Sequence, residues 1–555
     1  MCGIVGYVGR EQAAPVLLEG LKKLEYRGYD SAGVAVRDGS SDCVVVKAMG
    51  KLINLRKKIN EGTSLKGTCG IGHTRWATHG EPSENNAHPH CSDDGCVVGV
   101  HNGIIENFAE LKEKLISKGY TFYSQTDTEV LIKLVDYYYK KYNIGPIDAL
   151  AKTMVRVRGA YALAVMFKDF PGEIYVARKD SPMVIGITGE GTYLASDVPA
   201  ILDHTRDVYY IDNLEMARLS PGAAEFYNLN GDVVQKNVTH IDWDAESAEK
   251  GGYEHFMMKE IFEQPRVVQD TLNSFVRNGA IDLSPAGIDG NILAGVRAVT
   301  IVACGSAYHA GVATQYVMEK LAHVPVRVEL ASEFRYRNPI LAEGTLVIAI
   351  SQSGETADTL AAIRLAKSQG VLTLGIVNVV GSSIARESDI VMYTKAGPEI
   401  SVATTKAYSA QLIVGYVLSI ALAKANERLG EGQEQELISQ LYTLPANINE
   451  ILLDEEKVQW LASKIAACDD LFFVGRGVDY AVCMEGSLKL KEISYIHSEA
   501  YAAGELKHGT ISLIEDGTVV IGVLTQDGLE EKTLSNMAEV KSRGGFIVAV
   551  TKYGE

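Results

Sequence analysis

Residues 345–356 read Thr-Leu-Val-Ile-Ala-Ile-Ser-Gln-Ser-Gly-Glu-Thr, and this stretch indicates the architecture of the C-terminal half. Residues 345–350 form a continuous apolar run that ends in a Ser/Gly-rich loop, and a helical pattern follows the loop. A similar run at 299–303 ends in Cys304-Gly305-Ser306. Continuous apolar strands separated by helices are typical of a parallel sheet that is covered on both faces.

The same arrangement recurs near the C-terminus. Residues 470–474 end in Gly475-Arg476-Gly477, and residues 519–524 end in Thr525-Gln526-Asp527-Gly528. The two pairs of strands have similar internal spacing, which predicts a duplicated doubly wound α/β domain. Residues 545–551 read as a further strand with no helix after it, so we expect one face of the second sheet to be bare.

Residues 1 to about 240 have a different texture, with many short strands and few helices. Strands are predicted at 3–9, 31–36, 44–48, 96–102, 160–167 and 173–178, and helices at 13–24, 108–118 and 128–139. This pattern favours an α+β layered domain. A polar stretch from Lys236 to Gly252 marks its end. We therefore expect a first domain at 1–240, a linker with lead-in helices at 241–288, and two α/β domains at 289–428 and 458–555, the second incomplete.

Composition excludes several classes of partner. The formal net charge is −17, which argues against a surface for nucleic acid or anionic membranes. The eight cysteines form no CxxC pair, so neither a zinc site nor a disulfide framework is expected, and no metal or organic cofactor is implied. The start lacks a signal peptide, and the uncharged stretch around 407–423 is interpreted as a buried helix. We expect a cytoplasmic protein.

The first 130 residues contain five polar clusters, and the first begins at Cys2. A cysteine that becomes the first residue after removal of Met1 has its own α-amine beside its thiol. That amine has a pKa of about 7.7–8.0, so it can accept the thiol proton near neutral pH. The clusters are Met1-Cys2-Gly3-Ile4-Val5-Gly6, residues 24–33 (LEYRGYDSAG), residues 72–80 (GHTRWATHG), His101-Asn102-Gly103 and Thr126-Asp127-Thr128-Glu129.

Four residues of the other clusters suit attack on an amino-acid amide, for which glutamine is the best fit. The Asn102 side chain and the Gly103 backbone can donate to an oxyanion. Arg75 can bind a carboxylate bidentately, and Asp127 can pair with an α-ammonium. Taken singly, each has a simpler interpretation: a salt bridge for Arg75, a hairpin turn for 102–103, and an N-cap for Asp127. The combination favours a glutaminase.

The C-terminal half carries a candidate phosphate loop and a candidate acid–base group. Hydroxyls and backbone N–H groups in 351–356 suit a phosphate at a helix N-terminus, although a capping motif explains the same residues equally well. The neighbouring Cys304-Gly305-Ser306 favours the phosphate pocket. Further on, Glu485, Lys489 and Glu492 share one helix face, either as a solvated charged face or as part of a site.

The N-terminal clusters resemble the N-terminal nucleophile domain of glutamine amidotransferases. With the rest of the chain, the sequence resembles the glutamine–fructose-6-phosphate aminotransferase family. The resemblance implies a layered αββα glutaminase domain followed by two doubly wound sugar isomerase domains. It also implies transfer of the amide nitrogen of glutamine to fructose 6-phosphate with isomerisation, giving glucosamine 6-phosphate and glutamate.

The resemblance also implies roles for individual residues. Cys2 is the nucleophile, and Asn102 and Gly103 form the oxyanion hole. Glu492 transfers a proton, His508 opens the sugar ring, and Lys489 assists near the sugar hydroxyls. His508 is expected to reach the site of a neighbouring subunit, which implies a homodimer formed through the isomerase domains. Glutamine is expected to contact Arg75, Thr78, His79 and Asp127, with Trp76 as the gate of an ammonia channel or as plain core packing. The sugar phosphate is expected to contact Gly305, Ser306, Ser351, Gln352, Ser353, Thr356 and Val402.

The chain departs from the family pattern in two places. Ser306-Ala307 replaces the usual Thr-Ser, so Ala307 offers only its backbone. Family members also continue for several tens of residues beyond the point that Glu555 occupies, and that tail contributes to the sugar site. An alternative function is therefore an active glutaminase with an inert or sugar-phosphate-sensing isomerase half. Glu492 and His508 favour catalysis, because a sensor needs no proton shuttle.

Overall fold

A computed structural model describes residues 2–25, 28–39, 42–77, 79–241 and 250–552. The chain divides into two compact units, residues 1–249 and 250–555. The first unit contains antiparallel sheets, and the second contains parallel ones. In the first unit the strands are β1 (Gly3–Gly9), β2 (Ser31–Arg37), β3 (Val44–Met49), β4 (Cys69–Arg75), β5 (His90–Cys91), β6 (Val97–Ile105), β7 (Gly159–Phe167), β8 (Ile174–Lys179), β9 (Val184–Ile187), β10 (Gly191–Ala195), β11 (Asp207–Tyr210), β12 (Glu215–Ser220), β13 (Ala223–Tyr227), β14 (Val233–Val234) and β15 (Thr239–His240).

These strands form two stacked sheets. The first has the order β15-β11-β9-β10-β1-β4-β2-β3, and the second has the order β14-β13-β12-β8-β7-β6-β5. Apolar residues of both sheets, including Ile4, Ile71, Val98 and Val100, form one buried cluster between them. Cys2 therefore precedes a central strand of one sheet, whereas Asn102 and Gly103 lie in the other.

Helices cover the outer faces of both sheets. They are α1 (Ala13–Leu24), α2 (Leu52–Lys58), α3 (Phe108–Ile116), α4 (Asp127–Tyr142) and α5 (Pro146–Arg156). Helix α1 packs on β1 and β4, because one apolar face of the helix is fully buried there. Helices α4 and α5 pack on the second sheet. The result is an αββα sandwich, as the sequence predicts.

The second unit is built from parallel strands and helices. Its strands are β16 (Val276–Arg277), β17 (Ala280–Ile281), β18 (Ala298–Ala303), β19 (Val326–Leu330), β20 (Thr345–Ser351), β21 (Leu372–Val377), β22 (Ile390–Tyr393), β23 (Asp470–Gly475), β24 (His497–Ala502), β25 (Val519–Leu524) and β26 (Phe546–Thr551). Its helices are α6 (Phe256–Phe275), α7 (Gly290–Ala294), α8 (Ser306–Ala322), α9 (Ala331–Phe334), α10 (Ala357–Ser368), α11 (Ser383–Glu387), α12 (Lys406–Ala425), α13 (Gln433–Leu452), α14 (Glu455–Ile465), α15 (Val478–Ser494) and α16 (Glu530–Ser542).

The two parallel sheets repeat one topology. Their orders are β19-β18-β20-β21-β22 and β24-β23-β25-β26. Helices α8 and α15 begin after Gly305 and Gly477, whose φ/ψ angles are 57/−134° and 58/−128°. A positive φ of this kind favours glycine, so the same turn has been kept in both copies. The outer strand β26 leaves Phe546 and Val550 exposed. The duplicated doubly wound fold agrees with the sequence prediction.

Within the part of the chain that the structure describes, α12 is the one helix long and apolar enough to cross a membrane by length and composition. Most of its apolar stretch, 78%, is buried inside the fold. It packs against α6 and α8, which agrees with the buried helix expected from the sequence.

Candidate functional site

Cys2 lies at the edge of a small cavity in the first unit, with an empty volume of about 280 Å³. Its Sγ accepts a hydrogen bond from the backbone N–H of Trp76 at 3.2 Å. Burial raises the pKa of the Cys2 thiol, and the Trp76 N–H opposes that rise because it stabilises the thiolate. The cavity is lined by Cys2, Arg75, Trp76, His79, His88, His101, Gly103, Thr126, Asp127 and Thr128.

Asn102 and Gly103 lie inside strand β6 and not in a hairpin turn. The Asn102 Nδ2 donates to the carbonyl oxygen of Cys2 at 2.9 Å, and the amide carries a second hydrogen that this bond does not use. Gly103 has a φ of +128°, and a Cβ at this position would lie 2.0 Å from the carbonyl oxygen of Ala160. Only glycine fits here, so residue 103 lines the cavity with backbone alone.

Replacement of Gly103 by alanine is expected to damage both stability and glutamine hydrolysis. The new methyl group would force β6 away from β7, at a cost of roughly 3 kcal/mol or more of unfolding free energy. Gly95→Ala is the matched control, because Gly95 also has a positive φ but a Cβ there meets nothing within 4 Å. It should cost only about 1 kcal/mol. Chemical unfolding and glutamate release measure the two effects; equal losses in both variants would contradict the steric explanation.

Arg75 is buried at the end of β4, and its guanidinium supports the loop that follows. It donates to the carbonyl oxygens of His79, of Gly80 at 3.1 Å and of Glu81 at 3.4 Å. A guanidinium has five N–H groups, so three bonds to the loop leave two for a ligand. Arg75 is a candidate carboxylate ligand, as the sequence predicts. It also supports the loop at the cavity wall, a role that the sequence did not indicate.

Asp127 is the first residue of α4, but it does not cap that helix. The N-cap is Thr126, whose hydroxyl accepts from the N–H of Glu129 at 3.3 Å. Asp127 instead accepts from the backbone N–H of Ile105 through Oδ2 at 2.9 Å. This bond ties the carboxylate to the end of β6 and places it in the cavity lining.

Further residues complete this site. Trp76 lines the cavity with 41% of its surface exposed, and its ring packs edge-on against Tyr29. Thr78, also predicted to contact glutamine, lies outside the described residues, whereas His79 lines the cavity. Asp30 accepts from the N–H of Ala77 at 2.8 Å and so holds the loop after β4. Sequence reasoning gave no role to Asp30 or to His88, although the histidine pair in His88-Pro89-His90 was a visible signal.

The predicted phosphate loop lies at the carboxyl end of β20 in the second unit. The Ser351 hydroxyl lies 2.9 Å from that of Thr356 and accepts from the N–H of Gly354 at 3.1 Å. Ser353 accepts from the N–H of Glu355 at 3.2 Å. Thr356 is the N-cap of α10 but makes no side-chain capping bond, so the capping-box interpretation does not describe this loop. Strand β18 lies beside β20, and Gly305 and Ser306 follow it.

Two buried glutamates hold the segment that contains Val402. Glu260 on α6 accepts from the N–H groups of Ile400 and Ser401 at 2.6 and 2.9 Å. Glu399 accepts from the N–H groups of Thr405 and Ala407. The Val402 side chain itself is exposed. Gln352 contributes its backbone carbonyl to a bond with the N–H of Asn378.

Burial and the nearby charge of Glu399 raise the pKa of Glu260 to about 7. An unfolded glutamate has a pKa near 4.5, so the folded chain retains this proton to higher pH. The contribution of this proton to the free energy of unfolding is complete below pH 4.5. It is lost as the pH rises through 7, because the buried carboxylate must then ionise.

The difference in unfolding free energy between Glu260→Gln and the parent should therefore depend on pH. It should favour the variant by up to roughly 3 kcal/mol more at pH 8 than at pH 4.5. The amide keeps an oxygen for the two N–H donors but does not ionise. Chemical unfolding at both pH values measures the difference. Glu456→Gln, an exposed position on α14, is the control; a Glu260→Gln effect that does not change with pH would contradict the assignment.

The charged face of α15 is partly buried and internally paired. Lys489 donates to Glu492, and its Nζ lies 3.5 Å from Glu485 Oε1. Glu485 is buried and also contacts His309 of α8 at 2.8 Å. These contacts rule out a plain solvated face. His508, in contrast, is exposed, and its imidazole makes no hydrogen bond with the described residues. The structure thus brings Lys489 and Glu492 together but does not place His508 against them.

In the second α/β copy, an aspartate side chain binds the loop that follows β25, which is the equivalent of the loop after β20. The registers of the two sheets and the starts of α8 and α15 place Asp479 at the position of Ala307, and Thr525 at that of Gln352. The Asp479 carboxylate accepts a hydrogen bond from the backbone N–H of Thr525 at 2.8 Å and another from the hydroxyl of Thr525. Asp479 therefore contacts the residue that corresponds to Gln352, whereas the first copy has no carboxylate at position 307.

Two domain models match this chain. Residues 35–238 match the glutamine amidotransferase domain model, and residues 292–421 and 464–555 match the SIS domain model. A solved C-terminal domain of glucosamine-fructose-6-phosphate aminotransferase from Francisella tularensis is 41% identical, with a TM-score of 0.53, over 55% of this chain and 85% of that one.

Full-length relatives extend the similarity over the whole chain. Glutamine–fructose-6-phosphate aminotransferase [isomerizing] from Clostridium acetobutylicum is 52% identical over 100% of this chain and 90% of its own length. The protein of the same name from Caldanaerobacter subterraneus subsp. tengcongensis is also 52% identical, with the same coverage. The chain belongs to the glutamine–fructose-6-phosphate aminotransferase (isomerizing) family.

Proposed function

We propose that this protein transfers the amide nitrogen of glutamine to fructose 6-phosphate and isomerises the sugar, giving glucosamine 6-phosphate and glutamate. The observation that carries the proposal is the Cys2 thiol at a cavity that is also lined by Arg75, Gly103 and Asp127. This set supplies a nucleophile, an oxyanion donor and two opposite charges for an amino acid. Family membership identifies the acceptor as the sugar phosphate.

Hydrolysis begins at Cys2 after Met1 is removed. The free α-amine takes the thiol proton, and the thiolate attacks the carboxamide carbon of glutamine. The N–H of Trp76 at 3.2 Å holds the sulfur in place and favours its charged form. The oxyanion that develops accepts from the second Nδ2 hydrogen of Asn102 and from the backbone of Gly103. The α-ammonium gives its proton to the leaving nitrogen, ammonia departs as the thioester forms, and water then cleaves the thioester to release glutamate.

Two charged groups select an α-amino acid. Arg75 binds the α-carboxylate through an N–H group that the loop does not use, and Asp127 binds the α-ammonium. Both charges are buried, so a substrate that lacks either group would leave one of them unpaired, at a large cost in binding. Thr78 and His79 contribute further polar contacts from the same loop, and Trp76 acts as the gate through which ammonia leaves.

The sugar phosphate binds at the carboxyl ends of β18 and β20. The hydroxyls of Ser351, Ser353 and Thr356 and the N-terminus of α10 receive the phosphate without any lysine or arginine. Ser306 lies beside this loop at the start of α8. Gly305, Gln352 and Val402 complete the sugar contacts.

Glu492 moves the proton between the first two carbons of the sugar, and Lys489 holds the carboxylate in position through a hydrogen bond. His508 opens the sugar ring. Its exposure within one chain fits a role in the site of a second subunit, so we propose a homodimer; light scattering in solution measures the oligomeric state. We place the reaction in the cytoplasm.

One assay tests the function. The protein is incubated with glutamine, with and without fructose 6-phosphate, and glutamate and glucosamine 6-phosphate are both quantified. Formation of both products supports the proposal. Glutamate without amino sugar would restrict the activity to the first unit. Absence of glutamate, with removal of Met1 verified by mass spectrometry, would overturn the assignment of Cys2.

A further inference from the structure

His73 is a fully buried residue of β4 that contacts the other sheet of the sandwich. Its Nε2 lies 3.0 Å from the side-chain oxygen of Asn102 and 3.2 Å from the carbonyl oxygen of His101. Its ring stacks on that of His88, with centroids 4.0 Å apart and the planes tilted by 32°. The Nε2 of His73 thus faces the second sheet, and neither His73 nor Asn102 is among the residues that line the cavity.

These contacts determine which nitrogen of His73 carries the proton. The carbonyl oxygen of His101 can only accept, so Nε2 must be the donor. Burial lowers the pKa of His73 to about 3, and the ring is therefore neutral, with one proton on Nε2. The remaining Nδ1 is buried without a hydrogen-bond partner among the described residues.

The orientation of the Asn102 amide follows from its two neighbours. On one side, Cys2 offers a carbonyl oxygen, which requires the NH₂ group. On the other side, His73 offers an N–H, which requires the oxygen. A flipped amide would place its NH₂ group against the N–H of His73 and its oxygen against the carbonyl oxygen of Cys2. Because an asparagine amide is nearly symmetrical in shape, packing alone does not select one orientation.

We infer that His73 is a positioning residue for the oxyanion site: its Nε2–H fixes the Asn102 amide with the NH₂ group toward Cys2. This inference rests on the proposed glutaminase function. Without His73 the Cys2 carbonyl oxygen alone favours this orientation, so the amide rotates more readily, and a rotated amide presents an oxygen to the negative charge that develops during attack. The effect concerns the tetrahedral intermediate and not glutamine itself, since Arg75 and Asp127 bind the two ends of the amino acid.

The test compares His73→Leu with His73→Gln. Leucine removes the donor, whereas the glutamine Nε2 can replace that of histidine. For His73→Leu, kcat for glutamine hydrolysis should fall about 10²–10³-fold with KM changed by less than about threefold. His73→Gln should recover most of that loss. Inhibition by glutamate γ-semialdehyde, which forms an oxyanion-bearing adduct with Cys2, should weaken in parallel with kcat, while inhibition by glutamate should not change.

Several outcomes would overturn the inference. They are an unchanged kcat in His73→Leu, equal losses in the two variants, and parallel weakening of glutamate and aldehyde binding, which would indicate general damage to the site. The side-chain amide NMR signals of Asn102, identified through Asn102→Asp, report its orientation without turnover. Slow amide exchange should be present in the parent and lost in His73→Leu; equal exchange rates would also overturn it. A parent chain that does not hydrolyse glutamine would instead reject the proposed function.

Discussion

Cys2→Ala is expected to lose glutamine hydrolysis by at least about 10⁴-fold while glutamine still binds. Cys2 is the one cysteine among the described residues that line the cavity, and the donors that remain can only stabilise charge that no longer forms. Ammonium-supported formation of glucosamine 6-phosphate should be retained, because the sugar site belongs to the other compact unit. Initial rates with glutamine and with an ammonium salt measure the two reactions.

Cys468→Ser is the matched control for this variant. Cys468 lies in the second unit and is only partly buried, so its loss should leave glutamine hydrolysis unchanged. Hydrolysis by Cys2→Ala at more than 1% of the parent rate would show that another residue or a bound water attacks the amide. Loss of the ammonium-supported reaction would show that the variant is damaged beyond the cavity.

Glu492→Gln is expected to lower sugar isomerisation by about 10²–10⁴-fold, because an amide cannot accept the proton that moves between the sugar carbons. The substitution keeps the size of the side chain and an oxygen for Lys489. Exchange of the sugar's C1 and C2 hydrogens with solvent deuterium, followed by NMR, measures the proton transfer itself. Glutamine hydrolysis in the absence of sugar should be unaffected.

Glu531→Gln serves as the control, since it makes the same chemical change at an exposed position on α16. Isomerisation by Glu492→Gln within threefold of the parent would contradict the role of Glu492. In that case Glu485, which also contacts Lys489, would become the better candidate for the base.

Most strands were predictable because their residue patterns are local. The predicted strands at 3–9 and 519–524 coincide with β1 and β25, and the strand at 345–350 ends one residue before β20 does. Longer-range effects account for the differences. The strand predicted at 96–102 continues to Ile105, because the Asn102-Gly103 pair, a frequent turn signal, is held in an extended strand by its pairing with β7. Helices α13 and α14 were not predicted; Pro445 interrupts the pattern in the first.

The polar residues of the candidate site were predictable by type, whereas their supporting contacts were not. Chemistry identifies Cys2, Arg75 and Asp127 as useful groups, but nothing in the spacing indicates that Arg75 would support residues 79–81. His73 and Asn102 are 29 positions apart, and only the stacking of two sheets brings them together. Contacts of this kind depend on tertiary structure, so one sequence read by local patterns does not contain them.

The αββα sandwich also separates the parts of the glutaminase until folding is complete. Cys2 precedes a strand of one sheet, and Asn102 and Gly103 belong to the other. Either sheet alone has secondary structure but no complete machinery for cleaving an amide. A nascent or partly unfolded chain therefore releases no ammonia, and hydrolytic activity reports that the two layers are correctly packed and not merely that their strands have formed.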